Sequence, residues 1–317
     1  MAGQVLSFGE MLIDLIATNA ANGLEDATAF VARPGGAPAN VVVALARLGV
    51  PSAFCGVVGD DPFAAKLRRA LSADGVDLSR LRSTNEADTT LAFAWKDARG
   101  DGHFRLLRMA DRLLDLNDIE MARIEEAEAI VVGSVALAAD PSRRAVTRAV
   151  EIAAESGVPV CFDVNMRPTL WPDATAAREA CAPILERATL LKLSLDDAAF
   201  LFGAGIEADH ALFRAARSGA QFAVLTDGAR GAWFTSAGID GEDTFVPSFT
   251  VDAIEPTGAG DSFNAAIISC LIARQWTELR RNDIQFAAAA GALTTTRRGA
   301  IEALPTRAEI EAFLAAR

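Results

Sequence analysis

The run Glu255-Pro256-Thr257-Gly258-Ala259-Gly260-Asp261-Ser262-Phe263 places two glycines ahead of an aspartate and then gives way to an apolar stretch, Phe263 to Ala273. That stretch reads as a helix, so Gly258 to Asp261 should lie at its N-terminus. Unpaired N–H groups at a helix start, reinforced by the helix dipole, make a site for an anion. A carboxylate beside such a site is badly placed to hold phosphate. It is well placed to take a proton from a hydroxyl that attacks the phosphate. The chemistry the segment suits is phosphoryl transfer to an alcohol.

Other polar residues recur where strands should end. Gly35-Gly36-Ala37-Pro38-Ala39-Asn40 leads into a helical run, Val41–Leu48. Paired glycines admit a ligand to the backbone, and Asn40 offers a donor and an acceptor to a pair of sugar hydroxyls; a tight loop with a capping Asn is the plainer alternative. Glu10 and Asp14 flank the end of the first strand, where parallel sheets bind ligands. Asp14 could accept bonds from two vicinal hydroxyls or be a solvated loop acid. In Asp163-x-Asn165-x-Arg167-x-x-Leu170-Trp171 the alternating polar residues suit a pocket rim. Arg167 could hold a phosphate, carboxylate or hydroxyl, or merely pair with Asp163 at the surface. Ser194-x-x-Asp197 could orient hydrated Mg2+, though the pattern favours a capping-box variant. Thr226-Asp227-Gly228-Ala229-Arg230-Gly231 reads as a nucleotide-facing turn or a plain β-turn.

The elements that must carry these residues alternate. Val5–Phe8, Ser52–Val58, Ala129–Gly133, Val160–Val164, Leu190–Leu193 and Phe222–Thr226 read as strands. Ala39–Leu48, Phe63–Asp74, Arg143–Ser156, Ala174–Ala182 and Ala208–Ser218 read as helices. Asp61-Pro62 and Asp140-Pro141 place an N-cap before a first-turn proline, and Thr306-x-x-Glu309 is a capping box. The pattern predicts an α/β fold: a mainly parallel central sheet flanked by helices on both faces. Two segments break the alternation, approximately 12–33 and 89–108. The second holds a hairpin, Thr90–Trp95 and His103–Leu107 around the turn 97–102. Both read as strands of a small β lid on a single domain, 1–317, and their exposed faces suit pairing of two subunits into a homodimer.

Composition removes several classes of function. Hydrophobic residues make up 51% of the 317, enough for a large core, and the formal charge is −12 with no cluster of Lys and Arg. Nucleic-acid binding is disfavoured. The four cysteines, Cys55, Cys161, Cys181 and Cys270, are widely spaced, which argues against a disulfide framework or zinc site. With only His103 and His210, both read as surface residues, and no tyrosine, a general base should be a carboxylate. No leader or membrane-length apolar segment is seen, so no membrane partner and a cytoplasmic location are expected. A G-x-x-x-x-G-K-[ST] loop and an early G-x-G-x-x-G turn are both missing.

Taken together, the chain resembles the ribokinase-like (PfkB) carbohydrate kinases over essentially its whole length. Gly35–Gly49 is similar to that family's first signature and Thr257–Phe263 to its second. Gly35–Asn40, Asp163–Trp171 and Thr295–Ala300 leading to Leu304-Pro305-Thr306 are most similar to fructokinases. The resemblance implies ATP-dependent phosphorylation of a free hexose at its primary hydroxyl, D-fructose to D-fructose 6-phosphate. The alternatives are 2-keto-3-deoxygluconate kinase and a non-catalytic sugar sensor on the same fold. It implies Asp261 as catalytic base and Gly258, Ala259 and Gly260 as the anion hole. Asp14, Gly35, Gly36, Asn40, Arg108, Asn165 and Arg167 would face the sugar. Lys192, Ser194, Thr226, Gly228 and Gly231, with Gly258 and Gly260, would face ATP. Asp197 would hold Mg2+ through water, and Glu255 stands where the family's leading acid is associated with a monovalent cation such as K+. The family's D-T-T-G-A-G-D here begins Glu255-Pro256, its N-x-x-E reads Ser194-x-x-Asp197, and an asparagine common near the adenine is replaced by Ala288.

Overall fold

The computed structural model describes residues 3–97, 102–208, 219–236 and 245–317. In its larger sheet β1 (Val5–Phe8) is the third strand from one edge. On one side lie β4 (Ser52–Gly59) and β5 (Leu81–Thr84). On the other lie β8 (Ala129–Gly133), β9 (Val160–Asp163), β10 (Leu190–Ser194), β11 (Phe222–Thr226), β12 (Gly231–Ser236) and β13 (Val246–Pro247), in that spatial order. Every pairing from β5 through β11 is parallel, and only β12 and β13 run antiparallel. A parallel sheet needs cover on both faces, which is why these strands read as near-continuous apolar runs.

The side-chain alternation shows two cores. Val5, Ala129 and Val131 face one cluster, while Leu6, Phe8, Ile130 and Val132 face the other. The first cluster takes in α1 (Ala37–Arg47), α2 (Pro62–Ala73), α8 (Ala259–Ala273), α9 (Arg281–Thr295) and α10 (Arg307–Ala315). The second takes in α3 (Leu116–Met121), α4 (Ser134–Leu137), α5 (Ser142–Glu155), α6 (Ala174–Leu185) and α7 (Leu195–Phe202). Phe54 is fully buried in the first cluster; truncating such a ring to Ala costs about 3–5 kcal/mol.

The segments that broke the alternation form a second sheet of β3 (Phe30–Gly35), β2 (Leu12–Ala17), β6 (Leu91–Lys96) and β7 (Gly102–Leu107), in that order. β2 pairs antiparallel with β3 and parallel with β6, and β6 pairs antiparallel with β7. This is the expected small β lid. Its edge strands carry Phe30, Val31, Phe104 and Leu107, all exposed.

Local signals held in part. Asp61 caps α2 by accepting from the Ala64 amide, and Thr306 and Glu309 form the capping box of α10. Asp140 does not cap α5: Pro141 holds the N-cap position and the Asp140 carboxylate pairs with Arg143 at 3.2 Å. α6 runs past the expected end at Ala182, through Pro183, to Leu185. Residues 98–101 of the expected turn, and nearly all of the helix expected over 208–218 with His210, lie outside the described residues. His103 sits on β7, stacked on Trp95. All four cysteines are free, and three are buried. Among the described residues no helix is long and apolar enough to cross a membrane.

Candidate active site

α8 starts four residues before the apolar run that announced it, so the glycines belong to its first turn. Gly258 is the N-cap in the left-handed region, φ 82°, and a Cβ there would lie 3.3 Å from the Ala300 backbone. The Ala259 amide closes a turn onto the Pro256 carbonyl at 3.2 Å, and the Ser262 amide donates to Gly258 O at 2.9 Å. The amides of Gly258, Gly260 and Asp261 donate to no carbonyl in this turn. Of the three residues expected to form an anion hole, Ala259 therefore contributes its N–H least.

Asp261 stands in that first turn, 8% exposed, and its Oδ2 accepts a 2.7 Å hydrogen bond from Asn40 Nδ2. Burial raises its pKa, while the Asn40 bond and the charges of Lys192 and Arg167 oppose the rise. The result is a carboxylate more basic than one in water yet held in place by a neutral donor. Asn40 comes from α1, whose start is shaped by the two glycines. A Cβ on Gly36, φ 106°, would lie 2.5 Å from the Glu10 carbonyl, and one on Gly35 would lie 2.1 Å from Asp14 Oδ2. Glycine at 35 thus makes room for the half-buried Asp14 carboxyl on β2. That carboxyl is pushed up to about 7 by burial, with Arg167 pulling the other way.

The loop after β9 supplies the opposite wall. Asn165 adopts φ 38°, and Arg167 Nη1 donates to its Oδ1 at 2.7 Å and to two backbone carbonyls. The guanidinium also lies 5.7 Å from the ring centroid of Phe104 on β7, so one side chain joins lid and floor. The surface pair Asp163–Arg167 is not formed. Asp163 is buried and holds Lys192 Nζ at 3.0 and 3.1 Å through both carboxylate oxygens. Burial works against the Lys192 charge, but Asp163, Asp197 and Asp261 outweigh it and its pKa ends raised. The ammonium lies 3.3 Å from where a Cβ on Gly260 would be, so that glycine brings a buried cation against the helix start.

Arg108 points away from these groups through most of its donors. Its Nε pairs with Asp111 at 2.6 Å and its Nη2 donates to Ser142 Oγ at 3.3 Å. Only Nη1 is buried without a partner. Ser194 and Asp197 form a complete capping box on α7. Asp197 Oδ2 accepts from the Ser194 amide and Oδ1 from the Met166 amide, both at 2.7 Å. A carboxylate has about four lone-pair sites, so two remain for water around an ion. Among the described residues no three His, Cys, Asp or Glu side chains cluster as a metal site; Mg2+ bound here fits the mode in which it arrives on nucleotide phosphates.

On the far side of α8 a cleft of ≈ 430 Å³ is lined by Thr226, Gly228, Gly231, Phe249, Gly260 and Ala288, among others. Gly228 and Gly231 have φ 49° and 139°, and a Cβ on Gly231 would meet Val246 O at 2.2 Å. Ala288 lines this cleft as well. Phe249 and the neighbouring Thr250 and Val251 were not foreseen: they lie in irregular backbone with no motif to mark them. The Glu255 Oε2 accepts from the Gly299 amide at 3.2 Å.

The description "pfkB family carbohydrate kinase" matches residues 2–307. Fructokinase-1 of Zea mays is 38% identical over 312 residues, 96% of each chain. A structure of a putative ribokinase II from E. coli in complex with ATP and Mg2+ superposes with a TM-score of 0.87 at 28% identity, covering 99% of this chain and 100% of that one. A fructokinase double mutant from Vibrio cholerae O395, bound to fructose, ADP and potassium ion, has a TM-score of 0.85 at 31% identity, with 99% of each chain covered.

Proposed function

The chain belongs to the pfkB family of carbohydrate kinases, and from that premise we propose that it transfers the γ-phosphoryl group of ATP to the primary hydroxyl of D-fructose. The observation that carries the reading is the position of Asp261. It stands at the amide-rich start of α8, between Asn40 on the acceptor side and the glycine-lined cleft on the other.

In this reading the acceptor hydroxyl lies between Asp261 and the γ-phosphate. Its oxygen bonds to phosphorus as the bond from phosphorus to the bridging oxygen of ADP breaks, and its proton passes to Asp261. The amides of Gly258, Gly260 and Asp261 face the charge on the transferring group, with Lys192 behind them. One such donor is typically worth about 3–4 kcal/mol. Asp14, Gly35, Gly36, Asn40, Asn165 and Arg167 hold the sugar, and Arg108 reaches it through Nη1. Ser194, Thr226, Gly228 and Gly231 line the ATP side. Asp197 would hold Mg2+ through water, and the ion would supply charge to shield the phosphates. Closing the lid over the sugar excludes water as a competing acceptor.

The fructose and potassium in the Vibrio cholerae structure support two finer parts of the proposal: the ketohexose as acceptor, and a monovalent cation beside Glu255. The test is ADP release with fructose, 2-keto-3-deoxygluconate and ribose, each with and without potassium. Fructose giving the largest kcat/KM supports the reading; a larger value for the sugar acid would transfer Arg167 to a carboxylate and replace it. Lack of a potassium effect would remove the cation from Glu255. The exposed apolar residues on the lid's edge strands support a homodimer through that face, which sedimentation showing a monomer would refute.

A further inference from the structure

Glu10 follows β1, an interior strand of the sheet, and takes no part in the scheme above. Its side chain is 96% removed from solvent, being 4% exposed, and its Oε2 has no hydrogen-bond partner. A carboxyl oxygen left without a partner at this depth is expensive for the fold. A small cavity of ≈ 10 Å³ adjoins it, lined also by Ser134, Asp163 and Asn165. That space fits one hydroxyl-sized group and no more. Its polar walls come from the same loop that carries Arg167 and from the turn after β8, and its apolar wall, Pro38 and Val41, comes from the helical turn that carries Asn40.

Beyond burial, the charge of Asp111 raises the Glu10 carboxyl and those of Arg108 and Arg167 lower it, yet Glu10 forms no ion pair with either arginine. Arg108 Nη1 is itself buried without an acceptor. The lone acceptor on Glu10, facing a space of hydroxyl size, suits a hydroxyl that donates to it. We propose that Glu10 is a further sugar-contacting residue, whose Oε2 accepts a hydrogen bond from one acceptor hydroxyl distinct from the one phosphorylated. Burial raises the Glu10 carboxyl to about 7. The inference rests on the reading of the chain as a kinase of a neutral sugar.

The test uses Glu10→Gln, which keeps the shape and removes the charge, and Glu10→Asp, which keeps the charge and draws it back. Wild type is first assayed with fructose. No sugar-dependent ADP release there would remove the parent reading, and this proposal with it. Given activity, Glu10→Gln is expected to raise the sugar KM by about tenfold or more, as loss of a hydrogen bond to a charged group does. The ATP KM should stay within about twofold. Monodeoxy fructoses then form a double-mutant cycle. One deoxy position should weaken wild type strongly and Glu10→Gln scarcely at all. Unchanged sugar KM in both folded variants, or deoxy effects that are additive at every position, would overturn the assignment.

Discussion

In the proposed reading, the acceptor side of the site meets its ligand with buried side chains, and the nucleotide side meets it with backbone and apolar walls. Asp261, Asn40, Glu10 and the Lys192–Asp163 pair are all sequestered polar groups, and Asn40 and Glu10 each have an oxygen still lacking a partner. Across α8, Gly228, Gly231, Gly260, Ala288 and Phe249 face an open cleft. An unsatisfied buried group penalises any ligand that fails to complete it, so the first side is built to discriminate. Backbone and apolar contacts accept a shared ligand without reading much of it.

Substitutions can break that contrast, and the largest effect should come from Asp261→Asn. It keeps the Asn40 neighbourhood close to isosteric and removes the base, so kcat should fall by roughly 10²–10⁴-fold while calorimetry still shows ATP and sugar binding. Near-normal turnover would remove Asp261 from the mechanism. Next comes Asn40→Ala, which deletes a donor to a buried carboxylate; kcat/KM should drop by about 10- to 100-fold. That donor favours the ionised form, so its loss raises the Asp261 pKa further. The acid limb of the rate profile should move to higher pH, and a limb that stays put would mean the bond does not tune the base.

The nucleotide side should respond differently. Gly231→Ala forces a side chain into φ 139° and against Val246 O. Thermal unfolding should show a loss of about 1–3 kcal/mol, with the ATP KM raised and the sugar KM unmoved. A raised sugar KM would show that the two sides are not separable. The smallest effect belongs to Phe104→Ala on the lid. The exposed cation–π contact with Arg167 is worth about 0.5–1 kcal/mol, so the sugar KM should rise no more than about fivefold, with kcat unchanged.

Features set by neighbouring residues were legible in the sequence. Asp261 in the first turn after two glycines, Asp61 capping α2 and the Thr306–Glu309 box each involve groups a few residues apart. Even so, Asp140 misled, because the pattern Asp-Pro does not say whether the proline is the first helical residue or the cap itself. Contacts made between strands were not legible. Lys192 meets Asp163 because β9 and β10 pair in register, Lys192 opposite Asp163, and 29 residues separate them in the chain. The available signal was chemical: a lysine among leucines in a doubly covered strand must find a buried partner. Glu10, an acid directly after the apolar β1, carried the same signal. The walls at Phe249 and Phe104 depend on how irregular chain and lid lie against the sheet, which periodicity does not encode.

Strand order also fixes a length. Glu10, Ser134, Asp163, Ser194 and Thr226 stand at or just beyond the ends of β1, β8, β9, β10 and β11, five adjacent parallel strands. At about 4.8 Å per strand, the row forms a ruler roughly 19 Å long, rigid because each strand is hydrogen-bonded to the next. Loops above it are free to change in size or sequence. Inserting or deleting a single strand would shift one substrate by a whole graduation, farther than the two reacting oxygens can stray and still share a phosphorus atom.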